Sequence, residues 1–116
     1  MSSMLPWICG FLLAFLLFRR FVGKADPAAA RQLVAEGALL LDVRSGGEFA
    51  SGHLPGAVHV PLAELSGRLR DVGSDKARPI VVYCASGIRS ATAASQLRGA
   101  GYGAVHDLGA MSRWPS

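Results

Sequence analysis

The chain has 116 residues, of which 51% are apolar and 17% charged, and its net charge is +4. That length allows one domain, the apolar share excludes intrinsic disorder, and two cysteines are too few for a disulfide scaffold. A nucleic-acid face is excluded once the charges are placed: Arg19, Arg20 and Lys24 supply +3 in one stretch, whereas residues 25–116 carry nine basic and eight acidic side chains, a balance of +1.

The first element is an uncharged run, M-L-P-W-I-C-G-F-L-L-A-F-L-L-F over residues 4–18, closed by Arg19-Arg20. A secretory signal carries its positive charges before the apolar stretch and a small-residue cleavage site after it. Here only Met-Ser-Ser precedes and the arginines follow. Bulky Trp7 and Ile8 before Cys9 argue against a lipid anchor, so Cys9 reads as an apolar filler. The run therefore reads as a transmembrane helix. Residues 1–24 form a membrane anchor and basic flank, in contact with the bilayer over 4–22, ahead of a domain over 25–116. Fifteen residues cover about 22 Å of a hydrocarbon core roughly 30 Å thick, and snorkelling of Arg19 and Arg20 with local thinning supplies the rest. An export signal, cleaved or retained, is the competing reading. For a single-pass span the positive-inside rule puts the domain in the cytoplasm, where Cys84 stays reduced.

Beyond the flank, short apolar runs alternate with helix signals. Asp26-Pro27 starts a helix that Gly37 ends. Residues 38–43 (A-L-L-L-D-V) read as a strand buried on both faces, 48–52 as one helical turn, and 57–60 as a short strand. Leucines at 62, 65 and 69 place a helix over 62–70. Residues 79–83 (P-I-V-V-Y) form the strongest strand, followed by an alanine-rich helix over 90–99, a last strand over 104–108 and a closing turn over 109–114. Strands separated by helices of this length imply an α/β fold, a doubly wound parallel sheet with helices on both faces. Ligands in such sheets bind beyond the carboxyl ends of the strands.

That rule points to Cys84, which directly follows the strongest strand and opens the loop C-A-S-G-I-R-S. Small residues with Gly87 can curl so that successive N–H groups face inward, and the helix that follows adds its positive end. Such a cradle favours a thiolate, and Arg89 can add a full charge and a bidentate hold on an oxyanion. A buried, inert cysteine at a strand end is the alternative for a lone Cys, but glycine, arginine and a helix start at these offsets count against it.

Three blocks resemble the rhodanese-like sulfurtransferases: L-L-D-V-R-S-G-G-E-F-A-S-G-H-L-P-G-A-V-H-V-P-L (40–62), V-V-Y-C-A-S-G-I-R-S (81–90) and G-A-M-S-R-W (109–114). The resemblance covers nearly all of residues 25–116, with the blocks in the family's order and spacing. It implies a single-domain parallel α/β fold, a cysteine that cycles through a persulfide, and a donor such as thiosulfate or a persulfide, with a thiol or cyanide as acceptor. By position, Cys84 is the sulfur carrier, and Ala85, Ser86, Gly87, Ile88, Arg89 and Ser90 form the cradle. Arg89 and the Ser90 hydroxyl bind the donor's sulfonate or support the persulfide. Ala110 stands where the family commonly has a second glycine. No cofactor is implied.

Asp42, Arg44 and Glu48 fall at a strand end and in the turn after it, and read as structural supports, with an Arg44–Glu48 ion pair fixing the loop. His53, before Leu54-Pro55-Gly56, reads as a turn-stabilising hydrogen-bond partner. His59 and His106 share no metal-ligand spacing with each other or with the cysteines, so no metal is expected. Gly99, Gly101 and Gly103 follow a helix instead of opening one and make no dinucleotide fingerprint. Trp114 reads as a lid on the core. Two other functional classes compete with the sulfurtransferase: a noncatalytic rhodanese-like binding module, whose usual sign is a lost cysteine, and a cysteine-loop phosphatase. The resemblance gives the latter five residues between cysteine and arginine, where this chain has four.

Overall fold

Asp26 starts helix α1 (Pro27–Ala35) by accepting the Ala29 N–H at 3.0 Å, with proline in the first turn where no N–H is missed. The computed structural model in which this is seen describes residues 23–116. The expected anchor over 4–18, with Cys9, Arg19 and Arg20, lies outside the described residues. Among those described, no helix is long and apolar enough to cross a membrane.

Four parallel strands form one sheet in the order β2-β1-β3-β4, from β1 (Leu39–Asp42), β2 (Val58–His59), β3 (Ile80–Cys84) and β4 (Val105–Ala110). The two central strands are buried at every residue, as a sheet covered on both sides demands. Their alternation sorts the core. Leu39, Leu41, Ile80, Val82 and Cys84 face one apolar layer with Leu65, Val72, Ala93 and Leu97, while Leu40, Val81 and Tyr83 face the other with Ala30 and Leu108. Trp114 packs against the second layer, under the 3₁₀ turn Met111–Arg113. From β1 the chain moves to the β2 edge, then crosses back to β3 on the other side of β1. The carboxyl ends of β1 and β3 thus flank the point where the winding direction reverses.

Two expected elements differ. The helix expected over 62–70 is a 3₁₀ helix at Leu62–Gly67 followed by a short helix α3 (Leu69–Val72), broken at Arg68, whose φ of −126° is not helical. The leucine spacings of three and then four suit one turn of each kind as well as a single helix, and all three leucines still reach the core. The turn expected over 48–52 begins two residues earlier, as helix α2 (Gly46–Ala50). There Ser45 and Glu48 form a reciprocal capping box.

β1 ends in a buried ion pair. The Arg44 guanidinium donates from Nε to both Asp42 oxygens at 3.1 Å and from Nη2 to Oδ2 at 2.8 Å, while the Arg44 backbone N–H reaches Oδ1 at 2.9 Å. Nη2 also holds the Gly52 carbonyl at 2.8 Å, and the Arg44 carbonyl meets His59 Nε2 at 2.7 Å. Burial by itself would raise the Asp42 carboxyl; hydrogen bonds from Arg44 and Tyr83 outweigh it and hold the group below its ordinary value. This arrangement ties β1, the loop after α2 and β2 together, and it replaces the expected Arg44–Glu48 pair. Arg44 points inward and is 5% exposed, whereas Glu48 is drawn back by Ser45 and out toward Arg89. Asp42→Asn leaves the arginine buried without its charge partner, so chemical denaturation should show a loss of about 3–5 kcal/mol. A loss within experimental error would show that the pair adds nothing to the fold.

Candidate active site

Three residues, Ala85, Ser86 and Gly87, separate the buried end of β3 from helix α4 (Ile88–Gly99). The turn is shorter than expected, because the helix starts at Ile88 and takes Arg89 and Ser90 into its first turn. Gly87 caps the helix at φ 101°, a left-handed conformation that glycine alone adopts cheaply. A side chain there would also meet Gly109 Cα at 3.6 Å.

This turn brings donors to the sulfur. Cys84 Sγ accepts the Gly87 N–H at 2.9 Å and the Ser90 N–H at 3.3 Å, at the amino end of α4. Cys84 is fully buried, which taken alone pushes the thiol up. The Ser90 hydroxyl and the amides of Ser90, Gly87 and Ser86 overcome that and leave it below an ordinary thiol. Ala85 and Ser86 are exposed above the sulfur, and Ile88 presents a bare apolar side chain beside them, 77% accessible.

Arg89 is not directed freely at the cradle mouth. Its Nη1 donates to Glu48 Oε1 at 2.6 Å and its Nη2 to Oε2 at 2.9 Å, a bidentate pair at the rim with both side chains about one-third exposed. Hydrogen bonding from Arg89, and then from Ser45, holds the Glu48 carboxyl far below its usual range. Cys84, Gly87 and Ser90 are thus in direct contact, Arg89 and Glu48 close one side, and Asp42 with Arg44 brace the neighbouring strand end. His53 sits outside this group, with Nδ1 3.0 Å from the Phe49 carbonyl and its ring stacked on Phe49 at 3.7 Å. His106 is on β4, and burial holds its imidazole below the ordinary value. Among the described residues no three His, Cys, Asp or Glu side chains gather as a metal site.

The sequence reading missed two residues at this site, Lys24 and Asp107. Lys24 Nζ donates to the Gly87 carbonyl at 2.9 Å and to Asp107 Oδ2 at 2.6 Å. Nothing in the sequence separates Lys24 from the basic flank, since the pairing spans 83 positions.

The family model of the rhodanese-like domain matches residues 26–116. The chain belongs to the rhodanese-like family. It is 36% identical over 92 residues to the thiosulfate sulfurtransferase GlpE of Pseudomonas syringae pv. syringae, covering 78% of this chain and 85% of that protein. A sulfurtransferase of Allochromatium vinosum is 35% identical over 96 residues, covering 80% and 88%. The uncharacterized protein YqhL of Bacillus subtilis is 38% identical over 78 residues, and the match spans 60% of it. Among solved structures, the human single-domain sulfurtransferase TSTD1 superposes with a TM-score of 0.70 at 28% identity, over 78% of this chain and 93% of that one. This kinship makes the chain a rhodanese-type sulfurtransferase.

Because Glu48 cancels the Arg89 charge at the rim, Glu48→Gln should strengthen anionic donors while leaving an acceptor for the Ser45 N–H. The expected result is a thiosulfate KM lowered about two- to fivefold at low ionic strength, the gain shrinking as salt is added. Steady-state kinetics at two salt concentrations measure it, and an unchanged KM would show that the Arg89 field does not reach the donor.

Proposed function

We propose that this chain moves sulfane sulfur from thiosulfate or a persulfide to a thiophilic acceptor through a persulfide on Cys84, and that residues 4–18 hold it at a membrane. The observation that carries the chemistry is the convergence of the Gly87 and Ser90 amides on a sulfur whose thiolate they stabilise. With the thiolate preformed, no neighbouring base is needed, which suits a fold in which His53 and His59 make backbone contacts elsewhere.

The two half-reactions balance without a further reagent. The Cys84 thiolate attacks the outer sulfur of thiosulfate, an S–S bond forms to Cys84, and the bond to the sulfonate sulfur breaks. Sulfite leaves with the electron pair and Cys84 carries S–S⁻. An acceptor, cyanide or a thiolate, then attacks the outer sulfur, takes it as thiocyanate or a persulfide, and returns the Cys84 thiolate. The amides at the amino end of α4 serve both halves, since each begins and ends with negative charge on sulfur at the same place. Arg89, tethered to Glu48, acts on the donor's sulfonate from the rim. Because the sulfur is fully buried, reaction requires the turn above it to open. The four residues between cysteine and arginine make a tight turn around one sulfur atom and support this reading over phosphate chemistry.

Treatment with thiosulfate should add one sulfur atom to the intact mass, lost again with cyanide. Cys84→Ser, nearly isosteric, should abolish both the mass gain and turnover; turnover comparable to wild type at equal folded concentration would overturn the assignment.

The membrane reading rests on the uncharged run at 4–18 and the Arg19-Arg20 pair that closes it. A reporter fused after Ser116 should then behave as cytoplasmic, and the protein should resist carbonate extraction. An exported reporter would reverse the orientation, and release by carbonate would remove the anchor.

A further inference from the structure

Lys24 lies across two glycines that both take left-handed backbone, Gly87 in the active-site turn and Gly109 on β4, with φ of 101° and 87°. A methyl group on Gly109 would stand 3.2 Å from Lys24 Cδ, and one on Gly87 3.5 Å from Lys24 Cε. The side chain thus lies over the bare backbone of both glycines, where a methyl group would touch it at Gly87 and crowd it at Gly109. Asp107 anchors its ammonium and is itself fixed by the Gly109 N–H, which donates to Oδ1 at 2.9 Å. The backbone joins in, since the Ala25 N–H donates to the Asp107 carbonyl at 2.7 Å.

Three donors converge on the Gly87 carbonyl: Lys24 Nζ at 2.9 Å, Ser90 Oγ at 3.1 Å and the Ala91 N–H at 3.2 Å. A carbonyl oxygen has two lone pairs, and the Ala91 bond is the first turn of α4. The ammonium and the hydroxyl therefore compete for the remaining one, and the charged donor is the stronger. Ser90 has one hydroxyl proton, and a second acceptor lies beside the same residue: the Cys84 sulfur, 3.3 Å from the Ser90 backbone nitrogen.

We propose that Lys24 is a positioning residue for the Cys84 thiolate: by occupying the Gly87 carbonyl, it releases the single Ser90 hydroxyl proton to the sulfur. The same bond fixes the Gly87–Ile88 peptide plane, so the Ile88 N–H, opposed to that carbonyl, points away from Lys24. Other charged groups surround the sulfur. Arg89 with Glu48 closes the α2 side, Asp42 with Arg44 ends β1, and Arg113 approaches Gly109 on the β4 side. None of these donates to the Gly87 carbonyl, so none can replace Lys24 in this exchange.

The inference rests on Cys84 being the sulfur carrier only for its functional consequence, and its test needs no turnover. In the full chain, the rate of iodoacetamide alkylation is followed from pH 5 to 10 on the Cys84 peptide by mass spectrometry, which separates it from Cys9. The wild-type midpoint should lie below that of a free thiol, roughly 8.5. Removing a donor to the thiolate disfavours the charged form, so Lys24→Met should raise the midpoint by about 0.5 unit or more, and Lys24→Arg should restore it. Lys24→Gln, uncharged and one atom shorter than lysine, is a second probe that shifts the same way should the Met variant not fold. Ser90→Ala should raise the midpoint by itself, and Lys24→Met should then add nothing. An unmoved midpoint in the single variants, or an equal rise with and without the Ser90 hydroxyl, would overturn the proposal. A purely structural role would move both backgrounds alike. Sulfur transfer that survives in Cys84→Ser would instead defeat the persulfide reading and leave the Lys24 result to stand or fall separately.

Discussion

A buried strand has to become a helix within three residues at Cys84, and the rest of the site follows from how that is done. The sheet requires the end of β3 to be dry and packed on both faces, which would ordinarily keep a thiol protonated and inert. The left-handed Gly87 lets the chain reverse at once, so the free N–H groups that begin any helix are spent on the sulfur instead of water. Burial and activation are therefore two results of one turn. A longer loop would admit water to the sulfur and carry the helix end away from it.

The neighbouring strand is held to the same standard by other means. β1 must end level with β3 for the site to have a floor, and the Asp42–Arg44 pair achieves this while consuming every hydrogen-bonding group it buries. Among the described residues no buried side-chain nitrogen or oxygen is without a partner. The capping box of α2 then aims Glu48 at Arg89, so that helices α2 and α4 are joined across the mouth by one ion pair. The consequence for chemistry is a rim close to neutral, with the anion-binding capacity concentrated in the backbone amides below it.

What could be read from the sequence, and what could not, divides along physical lines. The strands at 38–43 and 79–83 were legible because burial on both faces forces unbroken apolar runs, and the start of α1 because Asp-Pro is a local signal. The turn at Cys84 was legible because strand end, glycine and helix start are neighbours in the chain. Pairings of charged groups were not. Arg44 stands two residues from Asp42 and four from Glu48; helical spacing favours the latter, but the backbone at a strand end presents the former. Glu48 to Arg89 spans 41 positions and Lys24 to Asp107 spans 83, and no periodicity encodes contacts that a sheet's strand order creates. The break at Arg68 was invisible for a smaller reason, since leucines at 62, 65 and 69 bury equally well on one helix or on two short pieces.

The complete burial of Cys84 also bears on its survival. A thiolate stabilised by several donors is the form that peroxides oxidise toward sulfenic and sulfinic acids, and the safeguard here is steric, because an oxidant must touch the sulfur it attacks. The proposed persulfide would place its outer sulfur about 2 Å further from the cysteine, toward the mouth of the site. Exposure to oxidative damage would then track sulfur loading. If Cys84 carries sulfur as proposed, the empty enzyme would be the durable form and the sulfur-loaded one the vulnerable form, with the transferred sulfur lost before the cysteine that carries it.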